Sequence, residues 1–183
     1  MYSCTQPMRP GDQAVESGEG FAEFYAGTFG RLLGQLYPVT GDLYEAEEVV
    51  QEAFARAAVR WSRLRDYDVP EAWVRRVAMN LAAERARRLR RLARALQRTG
   101  KPPDVPEVSV ESIALLEALR TLPVRQRQAI VLHYLVGLPV EEVARTLSAR
   151  SGTVKSLLFR GRRALAARLG EPEEVLIPHD RFA

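Results

Sequence analysis

The sequence is poor in the residues that build disulfides and zinc sites. Its 183 residues include one cysteine, Cys4, and two histidines, His133 and His179. A single cysteine cannot form an internal disulfide, and no Cys/His spacing typical of zinc ligands is present. We therefore expect no metal and no cofactor.

Long hydrophobic runs are missing as well. No stretch approaches 18 consecutive apolar residues, which excludes a membrane-spanning helix. The N-terminus has no basic region followed by an apolar run of the kind that directs export. The sequence therefore predicts a cytoplasmic protein with no membrane partner.

The sequence has no run of strict apolar–polar alternation, so we do not expect a β-sheet. Apolar residues instead recur at helical spacing. In residues 43–61 one stripe contains Leu43, Ala46, Val50, Ala53, Phe54, Ala57 and Trp61.

We predict an all-α fold of two small helical domains joined by a linker with three prolines, at positions 102, 103 and 106. The predicted boundaries are a flexible tail at 1–19, a first domain at 20–98, the linker at 99–110, a helix-turn-helix domain at 111–169 and a C-terminal tail at 170–183.

Charge is distributed unevenly along the chain. Residues 75–98 contain nine arginines and one acid, Glu84, and residues 150–168 contain six basic residues and no acid. Residues 41–54 contain five acids and no base. The two basic segments favour contacts with a polyanion, and the acidic segment favours a second, basic partner.

Residues 71–98, projected onto a helix, separate into an apolar stripe and a basic strip. The apolar stripe, expected to face the core, contains Val74, Val77, Ala78, Leu81, Leu89, Leu92 and Leu96. The basic strip contains Trp73, Arg76, Asn80, Arg87, Arg91, Arg94 and Arg98. Arginines neutralise phosphates and a planar ring stacks on an exposed base, so the strip favours single-stranded nucleic acid.

Residues 139–169 have the proportions of a helix-turn-helix. A short helix is predicted from Pro139 to Leu147, and a last helix from Ser151 to Leu169. The face of the last helix that is expected to be buried contains Val154, Leu158, Gly161 and Leu165. The outward face contains Lys155, Ser156, Phe159, Arg160 and Arg163. Arginine suits guanine and phenylalanine suits the thymine methyl group, so this face favours the DNA major groove.

The chain resembles the bacterial extracytoplasmic-function (group 4) sigma factors of the sigma-70 family over roughly residues 20–169. Residues 47–54, EEVVQEAF, resemble the family's acidic region 2 helix. Residues 72–80, AWVRRVAMN, resemble the segment that opens and reads the −10 promoter element. Residues 153–160 resemble the region 4 helix that reads the −35 element. Two positions depart from the family pattern: Glu48 replaces the usual Asp, and Leu157 replaces a common Arg.

The resemblance implies a protein without catalytic residues that directs core RNA polymerase to promoters. The implied contacts to the polymerase, at its large clamp subunit, are Glu48, Gln51 and Glu52, and the flap is a second implied contact. The implied −10 contacts are Trp73, Arg76, Asn80, Arg87 and Arg91. The implied −35 contacts are Lys155, Ser156, Phe159, Arg160 and Arg163. An anti-sigma factor is a further candidate partner besides polymerase and promoter DNA.

Two other functions compete with this interpretation. A free-standing helix-turn-helix regulator would bind duplex operators as a dimer, but the sequence offers no evident dimerisation helix. A nuclease would use Asp42, Glu45, Glu48 and Glu52 as a divalent-metal cluster. No histidine or further carboxylate cluster completes such a site, and one helix face rarely encloses an ion.

Overall fold

The computed structural model describes residues 10–96 and 110–170, with side chains described at 20–92 and 113–170. These residues form helices and no strand, which confirms the predicted all-α class. The helices are α1 (Pro10–Thr40), α2 (Leu43–Ala58), α3 (Trp61–Leu64), α4 (Pro70–Leu96), α5 (Val110–Thr121), α6 (Val124–Ile130), α7 (Val140–Leu147) and α8 (Ser151–Leu169). A π-helical segment, Val131–Leu135, continues α6.

The first helix begins earlier than the sequence predicted. Pro10 opens α1, inside the stretch 1–19 that was expected to be a flexible tail. Proline is tolerated in a first turn because its missing N–H would have no intrahelical partner there. The predicted linker and C-terminal tail lie outside the described residues, apart from Val110 and Gly170.

The start of the acidic helix α2 is fixed by an N-cap, and its orientation is fixed by its apolar face. Gly41, with φ of +79°, ends α1, and the Asp42 side chain then caps α2 by accepting a 2.7 Å hydrogen bond from the Glu45 backbone N–H. The buried residues of α2 are Ala46, Val49, Val50, Ala53, Phe54 and Ala57. Leu43, predicted in this stripe, is 42% exposed because it is the first residue of the helix, at the edge of the packed face. Glu48 and Gln51 are therefore held on the exposed side of α2, whereas Glu45 is partly buried.

The apolar stripe predicted on α4 is correct for its first half only. Val74, Ala78 and Leu81 are buried, whereas Leu89 and Leu92 are 56% and 48% exposed. The prediction is wrong for these two leucines because α4, with 27 residues, extends beyond the 16-residue helix α2 against which it packs.

The helix-turn-helix domain packs as the sequence predicted. Val154, Leu158, Gly161 and Leu165 of α8 are all buried. A Cβ on Gly161 would lie 2.9 Å from the Ile130 side chain, so glycine permits the close approach of α8 to α6. The two helices of the motif, α7 and α8, are joined through a left-handed residue, Ser148, with φ of 51°.

The two domains contact each other through α1 and α4, with α1 packing on α5, α6 and the π-helical segment. Helix α4 packs on α7 and α6, and a single cluster of buried side chains continues from one domain into the other. Gln128 of α6, which is fully buried, donates a 2.5 Å hydrogen bond across this junction to the backbone carbonyl of Met79. The predicted DNA-binding surfaces of the two domains are therefore held in one compact arrangement.

Candidate polymerase and nucleic-acid interfaces

The three predicted polymerase-binding residues lie on one face of α2. Glu48 and Gln51 are exposed, and Glu52 is half-exposed. Arg85 of α4 donates to both carboxylates, at 3.2 Å to Glu48 and 3.1 Å to Glu52. The Gln51 side chain donates a 3.1 Å hydrogen bond to Glu47. These partly exposed ion pairs fix the direction of the acids at little energetic gain, since exposed pairs contribute about 0–1 kcal/mol.

Tyr44 is a residue of this acidic face that the sequence analysis missed. It lies one helical turn before Glu48 and is 71% exposed. Its hydrogen bond to Glu48 and the charge of that carboxylate raise the pKa of the Tyr44 hydroxyl. The i to i+4 spacing within the predicted helix was the available signal for this contact.

The basic strip of α4 is divided between two environments. Asn80, Arg87 and Arg91 are exposed to solvent. Trp73 is half-buried and packs against the core, with the Arg60 guanidinium 5.8 Å from the centre of its ring. That distance is within the range of a cation–π contact. The aromatic residue of the strip is therefore held in place and does not project freely into solvent.

The N-terminal part of the strip faces the second domain across a cleft of about 360 Å³, the α4–α7 cleft. The first domain lines it with Tyr67, Trp73 and Arg76, and α7 contributes Glu142 and Arg145. Tyr67, in the loop before α4, lines this cleft together with Trp73, whereas Asn80 does not line it. Two of the predicted −10 contacts therefore lie next to the helix-turn-helix domain.

The predicted −35 contacts all project from the outward face of α8. Lys155, Ser156, Phe159, Arg160 and Arg163 are exposed, and Phe159 remains 50% exposed despite its size. Arg160 Nε donates a 3.2 Å hydrogen bond to the backbone carbonyl of Ser156, one turn earlier. Leu157, which replaces the family's common Arg, is half-buried and packs against the core. A basic surface with one exposed aromatic ring is thereby carried on a single helix.

Within residues 10–96 and 110–170, no group of three or more His, Cys, Asp or Glu side chains is placed to hold a metal ion. Glu48 and Glu52, two of the acids that a nuclease site would need, instead pair with Arg85. In the same part of the chain, no helix combines the length and the apolarity needed to cross a membrane.

The fold and these surfaces define a two-domain helical protein with a helix-turn-helix, a separate basic strip and an acidic helix face. Two family models match the chain in the same order. "Sigma-70 region 2" matches residues 25–92, and "Sigma-70, region 4" matches residues 112–165. The first match covers α2 and the described side chains of α4, and the second covers the helix-turn-helix.

Similar proteins agree with these matches. The RNA polymerase sigma-E factor of Streptomyces coelicolor is 30% identical over 142 residues, which cover 76% of this chain and 80% of the relative. The ECF RNA polymerase sigma factor SigW of Bacillus subtilis is 28% identical over 181 residues, covering 88% of this chain and 92% of SigW. This chain belongs to the sigma-70 family of RNA polymerase sigma factors, in its extracytoplasmic-function group, and acts in transcription initiation.

Solved structures share the fold. The sigma factor RpoE from Bartonella quintana, in complex with the anti-sigma factor NepR, aligns with a TM-score of 0.63 at 22% identity, covering 83% of this chain and 98% of RpoE. CnrH, in complex with the cytosolic domain of CnrY, aligns with a TM-score of 0.56 at 27% identity, covering 86% of this chain and 94% of CnrH. The sigma-factor prediction is confirmed, and sigma factors are in general not enzymes.

Proposed function

We propose that this sigma factor uses three helix surfaces in turn: the acidic face of α2 for core polymerase, the basic strip of α4 for the −10 element, and α8 for the −35 element. The observation that carries the proposal is the placement of all these candidate contacts on three separate helices. Each helix has its own buried face, so each surface can bind a partner without unfolding the core.

The polymerase contact rests on charge. Glu48, Gln51 and Glu52 occupy positions i, i+3 and i+4 of α2 and so form one acidic surface. A basic helix surface on the large clamp subunit of the core enzyme is its proposed partner. Arg85 already pairs with Glu48 and Glu52, and this intramolecular pairing orients both carboxylates before the polymerase arrives.

The −10 contact rests on the basic strip. Arg87 and Arg91 are exposed on the extended half of α4, where they can follow the phosphates of a separated strand. Trp73 offers a ring face for stacking, and Asn80 offers amide donors and acceptors to a base edge. Because Trp73 and Arg76 line the α4–α7 cleft, we infer that α7 moves away from α4 when the −10 strand binds.

The −35 contact rests on α8. Arg160 and Arg163 can donate to guanine, and the exposed Phe159 can contact a thymine methyl group. Lys155 and Ser156 lie one turn closer to the N-terminus of the helix, where they can contact DNA phosphates. This assignment requires duplex DNA, since the major groove exists only there.

We extend the proposal to the remaining partners and the cell compartment. RpoE was solved in complex with the anti-sigma factor NepR, which supports an anti-sigma factor as a candidate regulator of this chain as well. The polymerase and promoter DNA are cytoplasmic in bacteria, and we place this chain with them. We propose no catalytic role for any residue.

In vitro transcription with core RNA polymerase tests the proposal. The core enzyme, incubated with this chain and a fragmented bacterial genomic library, is expected to make transcripts whose start sites share one pair of upstream elements. Core enzyme alone is the control. Transcripts that start at random, or that are the same with and without the chain, would contradict the proposed promoter recognition.

A further inference from the structure

A second cleft lies at the domain junction, next to the turn between α1 and α2. It has a volume of about 440 Å³ and is lined by residues of both domains. Its polar lining is mainly basic: Arg90 from α4, Arg120 from α5 and Arg127 from α6, with a single carboxylate, Glu45. We call it the arginine cleft. Neither proposed DNA surface contains these three arginines.

The hydrogen-bond donors of Arg127 have weak partners or none among the described residues. Its two terminal nitrogens donate long hydrogen bonds to backbone carbonyls, 3.5 Å to Thr40 and 3.3 Å to Leu122. Its Nε is buried without an acceptor in the part of the chain that the structure describes. Burial lowers the pKa of this guanidinium, which is the expected response of a cation removed from water. A bound anion that contacts the terminal nitrogens would offset the cost of keeping this weakly paired cation away from water.

Arg120 lies against the backbone at the edge of the same cleft. It donates a hydrogen bond to the Gly41 carbonyl, and a Cβ on Gly41 would lie 2.8 Å from the Arg120 side chain. The absence of a side chain at Gly41 therefore allows the Arg120 side chain to pack against the backbone. The remaining donors of Arg120 stay available, since a guanidinium has five N–H groups.

Arg90, on α4, is the third arginine of the cleft. Its Nε donates a 3.2 Å hydrogen bond to the Ala86 carbonyl of its own helix. Among the described side chains, none of the three arginines forms an ion pair with a carboxylate at 4.0 Å or less. Three guanidinium groups thus converge on one cleft with a single acid nearby.

We propose that the arginine cleft binds a phosphate-bearing small molecule. Guanidinium groups match phosphate oxygens in charge and in geometry. The cleft volume lies within the roughly 300–1,000 Å³ typical of small-molecule sites. Its remaining wall is largely apolar, with Val39, Ala82 and Leu89, and can cover the organic part of a ligand such as a nucleotide. This site is additional to promoter recognition and does not depend on it.

The ligand would also couple the two domains. Arg90 belongs to the first domain, whereas Arg120 and Arg127 belong to the second. The complete site exists only while the domains are in contact, so a ligand that binds there stabilises the compact arrangement. Bound phosphate is then expected to oppose the movement of α7 away from α4.

Calorimetric titration of the full chain with two probes tests the site. Inorganic pyrophosphate and ADP are titrated separately at constant ionic strength, because salt screens non-specific attraction. We expect saturable binding at one site per chain. Binding of pyrophosphate supports a site that recognises phosphate alone, and binding of ADP alone supports a site that also needs the apolar wall.

Arg90→Gln is the informative variant, because Arg90 is exposed and its Nε bonds within its own helix, so that the substitution leaves the contacts between the helices in place. We expect it to weaken binding about tenfold or more, the loss typical of a hydrogen bond to a charged group. Arg88→Gln removes the same charge from the same helix outside the cleft and is expected to bind as the wild type does. Arg120→Gln, checked for folding by its melting curve, should weaken binding as well.

Two results would overturn the site. One is no saturable binding of either probe to the wild-type chain. The other is an equal loss of affinity in Arg90→Gln and Arg88→Gln, which would mean that the anion is attracted to the general positive charge of α4. The assay uses the chain alone, so neither result depends on polymerase or promoter binding.

Discussion

Arg76 of α4 donates a 3.2 Å hydrogen bond to the Oγ of Ser148, the left-handed residue in the helix-turn-helix. This contact joins a predicted −10 residue to the turn that precedes the proposed −35 helix. A promoter strand bound at Arg76 would compete for the same guanidinium. The compact arrangement and −10 binding are therefore expected to be alternatives.

Replacement of Trp73 by Ala is expected to impair promoter opening while polymerase association remains intact. Loss of one base stack corresponds to about 1–3 kcal/mol, or roughly 5- to 150-fold fewer open complexes. Permanganate reactivity of unpaired thymines measures opening, and gel filtration with core enzyme measures association. Trp73→Phe, which keeps an aromatic ring, is the matched control. Loss of association in Trp73→Ala would mean that the half-buried ring is structural.

Replacement of Arg160 by Ala is expected to reduce dependence on the −35 element. Removal of one base contact corresponds to about 1–3 kcal/mol of discrimination. The measurement compares transcription from templates with an intact and a scrambled −35 element. Arg168→Ala removes the same charge from the last turn of α8 and should keep the wild-type ratio. If the wild type itself transcribes both templates equally, α8 is not the recognition helix.

Gly161→Ala is expected to destabilise the second domain. Its Cβ would lie 2.9 Å from the Ile130 side chain, and overpacking of a core costs about 1–3 kcal/mol, against which alanine gains about 1 kcal/mol in helix propensity. We expect a net loss of free energy of unfolding in urea. Gly152→Ala, in open space on the same helix, should be neutral or stabilising. Equal stability of the two variants would contradict the close approach of α6 and α8.

Glu45→Gln is expected to stabilise the protein at about pH 7. Burial raises the pKa of the Glu45 carboxyl above its ordinary value of 4.5, although Arg85 and Arg127 oppose the shift. The folded state therefore favours the protonated form, and ionisation of Glu45 costs stability above its raised pKa. That cost is relieved as the pH falls from the raised folded value towards 4.5. The advantage of the variant should shrink over the same range.

Urea unfolding of Glu45→Gln and wild type at several pH values measures this difference. Glu84→Gln, which removes an acid at an exposed position of α4, is the control. A Glu45→Gln variant that is less stable than wild type at about pH 7 would mean that the arginines near Glu45 outweigh its burial.

Local patterns predicted much of the fold and the positions of the candidate contacts. The buried face of α8 follows from helical spacing alone, because Val154, Leu158 and Leu165 repeat at that period. The same reasoning failed for Leu89 and Leu92, since periodicity within one helix does not reveal where the neighbouring helix ends. The contact of Gln128 with Met79 joins residues 49 positions apart, and no local pattern encodes it.

The candidate sites were predicted to different extents. Exposure of Lys155, Arg160 and Arg163 could be predicted, because a helix face with three cations and no acid cannot enter an apolar core. The half-buried state of Trp73 could not, since it depends on packing and on contact with Arg60 from another segment. The arginine cleft could not be predicted from the sequence either, because its three arginines come from three helices that only the folded chain brings together.

Polymerase docking through the acidic face of α2 is tested by co-elution with purified core RNA polymerase in gel filtration. We predict a stable complex for the wild type, a weakened complex for Glu48→Arg, and a wild-type complex for Glu84→Arg, which reverses an exposed acid outside α2. The absence of a complex with competent core enzyme, or equal binding by Glu48→Arg and wild type, would contradict polymerase docking through the acidic face of α2.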